Sequence, residues 1–291
     1  MPPSQAPSVR QRRLGDALRH LRDSKGLSSE EVGGALGWSA SKISRIETAR
    51  IGVRVSDVRL LLELYGVDEH QRGELLSLAH EAGKKGWWAG YPGLDPDYAA
   101  FIAFEDEADV VLQYVTEVVP GLMQTEEYAR HVIEGTKVYT VNAPQAIDRL
   151  VEVRMRRQRL LRPPRSMQFS VVLDESVLLR RVGEGGTMAR QLHHLTALAE
   201  KPNVNLQVLP LDGNHFPVVG ASFTLLEFSS SYDVSFPDIV SIESVTATRL
   251  QDTAVTHEYR LAYEKLTTLA LDQAKSVELI NGIATERWPA G

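Results

Sequence analysis

A short stretch of the chain, residues 36–50, places hydrogen-bond donors and cations at helical spacing. Hydroxyl, ammonium and guanidinium groups suit phosphate oxygens and base edges, which are the groups that DNA presents to a protein. On the opposite face, Ile43 and Ile46 are three residues apart and form an apolar stripe for a core. The outward positions are Ser41, Lys42, Ser44 and Arg45. The pattern therefore predicts a helix that contacts DNA.

Two helices and a tight turn are needed to position that face. Gly37 is predicted to end the first helix, because glycine adopts the left-handed conformation at little cost. Ser39 is predicted to cap the second helix by accepting a hydrogen bond from its exposed first-turn amides. Two helices joined by a three-residue turn with a glycine are typical of a helix-turn-helix. Trp38, inside the turn, is expected to cover the small core rather than to stack on bases.

Five short helices over about residues 9–80 resemble the Xre family, the Cro/repressor-like DNA-binding domains. The resemblance rests on Leu36-Gly37-x-Ser39-x-Ser41-x-Ile43-Ser44-Arg45-x-Glu47. It implies that Glu47 bonds within the domain. It also implies that DNA is contacted by the positions matching Ser39, Ala40, Ser41, Lys42 and Arg45. To these candidates we add Ser44, Arg50 and, at the start of the first helix, Arg13.

Two residues depart from the family pattern. Gly33 stands where alanine is common, and glycine inside a helix costs about 1 kcal/mol relative to alanine. Ala49 replaces the usual glycine at the end of the recognition helix, so we expect a strained or differently shaped helix end. Neither residue lies on the DNA-facing side. The alternative use of the same fold is protein binding.

The distribution of charge favours a nucleic-acid partner at the N-terminal end only. The 291-residue chain has a net charge of −6, but residues 1–54 hold ten Lys or Arg and five Asp or Glu. This end therefore carries +5, and the rest of the chain carries −11. A basic head on an acidic body directs DNA to one end of the molecule.

The composition also limits what else the chain could be. Without cysteine it has no disulfide, no thiolate metal site and no cysteine nucleophile. The first residues lack the apolar run of a signal peptide, and no stretch approaches the roughly 18 apolar residues of a membrane span. We therefore expect a cytoplasmic protein with no membrane partner.

Glycine and lysine at residues 83–86 interrupt the helical pattern and predict a domain boundary. We divide the chain into a disordered tail (1–8), a helix-turn-helix domain (9–83), a linker (84–100) and a regulatory or dimerisation domain (101–291). Predicted strands are 110–115, 166–173, 204–209, 221–228 and 238–243, and predicted helices are 144–161, 174–181, 187–200 and 252–283. The expected fold is an all-α five-helix N-terminal domain plus an α+β C-terminal domain with a partly antiparallel sheet.

The C-terminal part resembles the companion domain of actinobacterial Xre regulators. The motifs that carry this resemblance include Pro120-Gly-Leu-Met-Gln-Thr125, Arg154-x-x-Arg157-Gln158 and Leu173-Asp174-Glu175. WhiJ-type regulators of Streptomyces have the same layout. The resemblance implies a family that is often encoded beside a small partner protein and is described as antitoxin-like.

Chemistry other than binding has no support in the sequence. His193 and His194 are adjacent, so on a helix their side chains diverge and cannot easily share a metal. We predict no catalytic residue, no metal and no cofactor, and the protein is not expected to be an enzyme. Arg154 and Arg157, three residues apart on a basic helix, remain candidates for an anionic ligand or an acidic partner. A solvated or acid-paired helix face is the plainer interpretation of this basic helix.

Together these patterns predict a sequence-specific transcriptional regulator, expected to be a repressor, that binds double-stranded operator DNA as a homodimer. A small molecule, or a small partner protein encoded nearby, would act on the C-terminal domain. The alternative is an antitoxin-like interaction protein that neutralises a small partner and uses DNA binding for autoregulation. Replacing Arg45 by alanine should abolish operator binding and leave the fold intact.

Overall fold

The computed structural model describes residues 7–136, 144–164, 167–212, 221–229, 237–243, 248–251 and 253–289. The chain divides into two compact units. The first comprises Met1–Gly90 with Phe228–Phe236, and the second comprises Tyr91–Glu227 with Pro237–Gly291. No helix among the described residues has the length and apolar character needed to cross a bilayer.

Five α-helices make up the first unit, and a polar side chain caps the start of each except the fourth. They are α1 (Val9–Ser24), α2 (Ser29–Leu36), α3 (Ala40–Glu47), α4 (Val55–Leu64) and α5 (Glu69–Ala82). Ser28, Ser39 and Asp68 each accept a hydrogen bond from an amide in the first turn of the helix that follows. Gly37, with φ of 70°, ends α2 in the left-handed conformation. The predicted five-helix domain is confirmed.

One apolar core holds these helices together. Its almost fully buried members include Leu14, Leu18, Val32, Ile43, Val58, Leu62 and Leu75, so all five helices contribute. Burial of each such side chain contributes roughly 1.5–3 kcal/mol relative to exposure. Trp38 is partly buried and packs against this core, as predicted from its place in the turn.

The second unit combines a mixed sheet with seven helices among the described residues. The helices are α6 (Pro96–Glu107), α7 (Glu126–Thr136), α8 (Pro144–Arg157), α9 (Ser176–Leu179), α10 (Gly185–Ala199), α11 (Thr253–Leu269) and α12 (Gln273–Glu286). The strands are β1 (Val110–Val115), β2 (Gln168–Asp174), β3 (Val204–Leu209), β4 (Phe223–Glu227), β5 (Ile239–Glu243) and β6 (Thr248–Gln251). Two of these strands, β1 and β3, have the bounds predicted from their alternating apolar residues.

The six strands lie in the order β3-β2-β1-β4-β5-β6. The strands β1, β2 and β3 are parallel, with Val110 opposite Gln168 and Phe169 opposite Val204. Their connections contain helices, as parallel neighbours require. The strands β4, β5 and β6 extend the sheet with antiparallel pairing. The predicted α+β fold with a partly antiparallel sheet is confirmed.

Several features of the second unit differ from the sequence prediction, among them α6, which begins inside the predicted linker. The segment predicted to be helical over 252–283 consists of two helices, and the Asp272 carboxylate caps the second, α12, by accepting from the Lys275 amide at 2.9 Å. The strand β6 was not predicted. Its four residues include only one apolar side chain, and the strand exists through its pairing with β5.

Candidate nucleic-acid interface

The helix-turn-helix consists of α2, a short turn and α3. At the start of α2, the Glu31 amide donates to the Ser28 hydroxyl at 3.1 Å and the Ser28 amide donates to the Glu31 carboxylate at 2.7 Å. Because the Ser28 amide stabilises this carboxylate, the pKa of Glu31 is lowered. At the end of α2, Gly37 is left-handed and the Trp38 amide donates to the Gly33 carbonyl at 2.7 Å. Local hydrogen bonds thus set both ends of the helix before the turn.

Gly33 allows the turn to close, which the sequence alone did not show. A Cβ atom at this position would lie 2.6 Å from the carbonyl oxygen of Trp38, closer than real Cβ contacts. At the neighbouring Gly34, nothing lies within 4 Å of the corresponding position. Glycine at position 33 lowers helix propensity, but it is required because any side chain would collide with the main chain at Trp38. This contact explains why the chain does not have the alanine that is common at this position.

Alanine at these two glycines is expected to have opposite effects on stability. Gly33→Ala should lower the free energy of unfolding by roughly 1–3 kcal/mol, because the main chain at Trp38 must move. Gly34→Ala should raise it by roughly 0.5–1 kcal/mol through helix propensity alone. Urea unfolding of both variants beside the wild-type chain measures the difference. Effects of the same sign and size would show that the close approach at Gly33 does not exist in solution.

The helix α3 separates a buried face from an exposed one. Ile43, Ile46 and Glu47 are 1, 3 and 6 % exposed. Successive residues advance by about 100° around a helix, so the exposed side chains lie on the opposite side. We call the exposed set on that side the recognition face, and it consists of Ser41, Ser44 and Arg45. Ser39 is also exposed, but it lies before the helix, and its hydroxyl accepts from the Lys42 amide at 3.2 Å. The Arg45 side chain donates through Nε to the Ser41 carbonyl at 3.2 Å, so this arginine lies along its own helix.

Two other predicted DNA contacts, Ala40 and Lys42, lie half-buried on the flanks of α3. The Lys42 ammonium is 3.4 Å from the centre of the Trp38 ring. It is also 2.9 Å from a carboxylate oxygen of Asp57, in the first turn of α4. Lys42 is therefore already engaged within its own domain.

The arginines around α3 have different environments. Arg50 is exposed just beyond the helix end. Arg13 is 8 % exposed, and its guanidinium donates at 2.7 Å to the carbonyl of Ser229, which belongs to the same unit. This conformation does not present Arg13 to a DNA surface. Two exposed arginines that the sequence pattern did not single out are Arg54, before α4, and Arg59, within it. Arg54 and Arg59 lie outside α3, so the helical periodicity of α3 could not identify them as candidates.

The main chain just beyond α3 adopts the left-handed conformation at Ala49. Its φ of 52° is the only positive value at a residue other than glycine in the described part of the chain. The left-handed conformation costs an L-residue roughly 1–2 kcal/mol, so the strained helix end expected from the sequence is confirmed. The turn lets the amides of Arg50 and Ile51 donate to the Arg45 carbonyl at 2.8 and 3.3 Å. The strained conformation of Ala49 thus allows two main-chain amides to satisfy the Arg45 carbonyl at the end of α3.

A buried ion pair attaches α3 to α1. Arg22 donates to the Glu47 carboxylate through Nε at 2.7 Å and through Nη2 at 3.0 Å, and its Nη1 donates to the Leu27 carbonyl at 2.7 Å. The hydrogen bond with Glu47 raises the pKa of Arg22. Burial, with the nearby Glu47 carboxylate, raises the pKa of Tyr65 to about 12. The internal role of Glu47 that the family resemblance implied is confirmed.

In the second unit, the two arginines considered as ligand contacts have separate roles. Arg157 is buried and donates to both carboxylate oxygens of Glu105 at 2.7 Å and to the Tyr98 hydroxyl at 2.9 Å. Burial opposes its charge, but the Glu105 carboxylate outweighs burial and raises the pKa of Arg157. Arg154 donates to the Gln124 side chain at 3.0 Å and lines a cavity of about 260 Å³. The cavity is also lined by Gly93, Asp95, Tyr98, Ile133, Thr136 and Leu150.

Candidate metal ligands do not converge in the part of the chain that the structure describes. Among those residues, no three or more His, Cys, Asp or Glu side chains are placed to hold a metal ion. His194, on α10, is partly buried, and burial lowers its pKa and so favours the uncharged imidazole. The adjacent His193 is exposed. Their environments thus differ, as adjacent positions on a helix require.

The geometry defines an N-terminal helix-turn-helix domain joined to an α+β domain. Residues 13–75 match a family model described as a helix-turn-helix domain. Residues 98–282 match the model of a domain of unknown function, DUF5753, and the chain belongs to this family. No curated protein and no solved structure matches the chain. The helix-turn-helix domain indicates a DNA-binding regulator.

Proposed function

We propose that the protein is a sequence-specific transcriptional regulator of the Xre type that binds operator DNA through the recognition face of α3. The exposure of that face carries the proposal, because Ser41, Ser44 and Arg45 lie opposite the buried Ile43 and Ile46. Hydroxyl groups both donate and accept hydrogen bonds. An arginine side chain can donate two hydrogen bonds to one guanine. A helix with these side chains can read base edges when it lies in the major groove.

The charge of this end supports the same proposal. Residues 1–54 carry +5, and the rest of the chain carries −11. Arg50, Arg54 and Arg59 are exposed in and after the loop that follows α3. Phosphate contacts from such side chains add affinity for any sequence and orient the protein on the duplex. In this proposal, these arginines attract DNA of any sequence, and the recognition face discriminates between DNA sequences.

The proposed regulator acts as a homodimer and represses its operator. Its two recognition helices would then lie about 34–36 Å apart, one turn of DNA, on a palindromic site. The protein acts through binding and has no catalytic activity of its own in this proposal. The resemblance to actinobacterial WhiJ-type regulators supports a DNA-binding head with a regulatory C-terminal domain.

We also propose that the second unit controls DNA binding by taking a small molecule or a small partner protein. The cavity at Arg154 favours a small ligand, because its 260 Å³ is just below the range of roughly 300–1,000 Å³ that is usual for ligand pockets. The Nε of Arg154 is buried without a hydrogen-bond partner in the described structure. An anionic ligand with an apolar body would suit this arginine beside Ile133 and Leu150. DNA-binding measurements with and without the neighbouring gene product separate this possibility from the antitoxin-like alternative, in which that product binds the chain.

Site-specific crosslinking tests the proposed interface. The chain has no cysteine, so one introduced cysteine can carry a photo-crosslinking group to a chosen position. Ser44→Cys, on the recognition face, and Ser77→Cys, exposed on α5, form a matched pair. We expect the Ser44 adduct to crosslink to a duplex enriched from a random-sequence pool, and the Ser77 adduct not to do so. The proposal would be contradicted if both adducts crosslink equally, or if the Ser44 adduct does not crosslink in a protein that still binds DNA. Either result would show that α3 does not contact DNA and would favour a role of the helix-turn-helix in protein binding.

A further inference from the structure

Lys42 is a predicted DNA-facing cation that the fold does not leave available. Its ammonium lies 3.4 Å from the centre of the Trp38 ring, well inside the range of a cation–π contact. It also lies 2.9 Å from Oδ2 of Asp57. The side chains of Lys42 and Asp57 are 30 and 23 % exposed, so the protein shields part of their attraction from solvent ions. Two separate contacts therefore hold one ammonium group.

The position of Lys42 around α3 agrees with this arrangement. A step of about 100° per residue places it between the exposed side that includes Ser41 and Arg45 and the buried side that includes Ile43. It therefore projects from the flank that meets the start of α4. Asp57 lies in the first turn of α4, where the helix dipole stabilises a carboxylate. The carboxylate is thus held beside Lys42 by its own helix.

We propose that Asp57 is a specificity-determining residue, which holds Lys42 against Trp38 and withholds one cation from the DNA backbone. This inference rests on the proposed function. Phosphate contacts strengthen binding to every sequence, whereas base contacts discriminate between sequences. With Lys42 neutralised, the recognition face keeps Arg45 and the hydroxyl groups of Ser41 and Ser44. Binding to non-operator DNA is thereby weakened relative to binding to the operator.

The variant Asp57→Asn tests this inference, because it keeps the shape of the side chain and removes its charge. The probe is a duplex of random sequence, with the full-length chain. We expect binding about three- to tenfold tighter than wild type near 50 mM salt, because Lys42 becomes free to neutralise a phosphate. The slope of log Kobs against log salt concentration should steepen by about 0.9, the contribution of one phosphate contact.

Two further variants separate a specific effect of Asp57 from a general effect of charge. Glu69→Gln removes one carboxylate from α5, where the side chain is 91 % exposed, and should leave the slope unchanged. Asp57→Asn combined with Lys42→Met should return the slope to the wild-type value. An unchanged slope in Asp57→Asn would overturn the inference. So would an equal gain from Glu69→Gln, or a gain that persists without Lys42.

Arg45→Ala, measured on a duplex enriched from a random-sequence pool by the wild-type chain, distinguishes failure of the inference from failure of the proposed function. If Arg45→Ala loses affinity while Asp57→Asn behaves as wild type, only the role of Asp57 is wrong. If Arg45→Ala and wild type bind the duplex equally, recognition through α3 is wrong, and the inference fails with it.

Discussion

Glu105→Ala is expected to destabilise the second unit by about 3–5 kcal/mol, because it leaves a buried guanidinium without its counter-charge. Glu105 and Arg157 are 2 and 7 % exposed, and two N–H groups of the arginine donate to the carboxylate. The Tyr98 hydroxyl would remain as an acceptor, and the rings of Tyr98 and Phe101 lie 5.5 and 5.3 Å from the guanidinium carbon. These contacts orient Arg157 but do not neutralise it. The loss is large against the 5–15 kcal/mol that typically stabilises a domain.

Urea unfolding of the full-length chain, with separate transitions resolved for the two units, measures this effect. The double variant Glu105→Leu/Arg157→Met removes both charges and should recover most of the lost stability, since an apolar pair of similar volume often replaces a buried ion pair without loss. An unchanged unfolding midpoint in Glu105→Ala would show that Arg157 reaches solvent or another partner.

Glu47→Ala is expected to destabilise the first unit by about 3 kcal/mol, the lower end of the range for breaking a buried pair. The lower end applies because Arg22 keeps two other partners, the Leu27 carbonyl at 2.7 Å and the Asp23 carboxylate at 2.8 Å. Glu47 lies at the end of α3 and Arg22 on α1, so the substitution also detaches the recognition helix from its support. Weaker DNA binding should therefore accompany the loss of stability.

The conservative variant Glu47→Gln serves as the control, because it retains an acceptor for Arg22 and loses only the charge. It should be destabilised less than Glu47→Ala. Urea unfolding reports stability, and binding to a duplex enriched from a random-sequence pool by the wild-type chain reports the position of α3. Full stability in Glu47→Ala, or equal losses in the two variants, would contradict the account of this ion pair.

Local patterns in the sequence predicted the parts of the structure that depend on neighbours along the chain. Ile43 and Ile46 identified the buried face of α3, and the serines and Arg45 identified its exposed face. The strained end at Ala49 was predictable because the left-handed conformation strongly favours glycine. These features need only helical periodicity and backbone sterics.

Contacts between residues far apart in sequence could not be predicted from local patterns. Lys42 has the type and position of a DNA contact, but Asp57, fifteen residues away, pairs with it. Arg13 was expected at a phosphate, but it is buried and bonded to Ser229. Gly33 looked like a weak point of α2 until the approach of Trp38 supplied its reason. Each of these residues has neighbours that no helical or strand period specifies.

The central claim is that Arg45 recognises DNA from the exposed face of α3, and equilibrium binding tests it most directly. A duplex enriched from a random-sequence pool by the wild-type chain is titrated with wild type, Arg45→Ala and Arg19→Ala. Arg19 is an exposed arginine of α1, 3.7 Å from Asp23, and controls for the loss of one positive charge. The sequence motif alone predicted complete loss of binding for Arg45→Ala, but one bidentate base contact contributes only about 1–3 kcal/mol, so we predict a loss of about ten- to hundredfold. Arg19→Ala should change affinity little, and the circular dichroism spectrum should be unchanged for both. Equal affinities of wild type and Arg45→Ala for that duplex would contradict the claim.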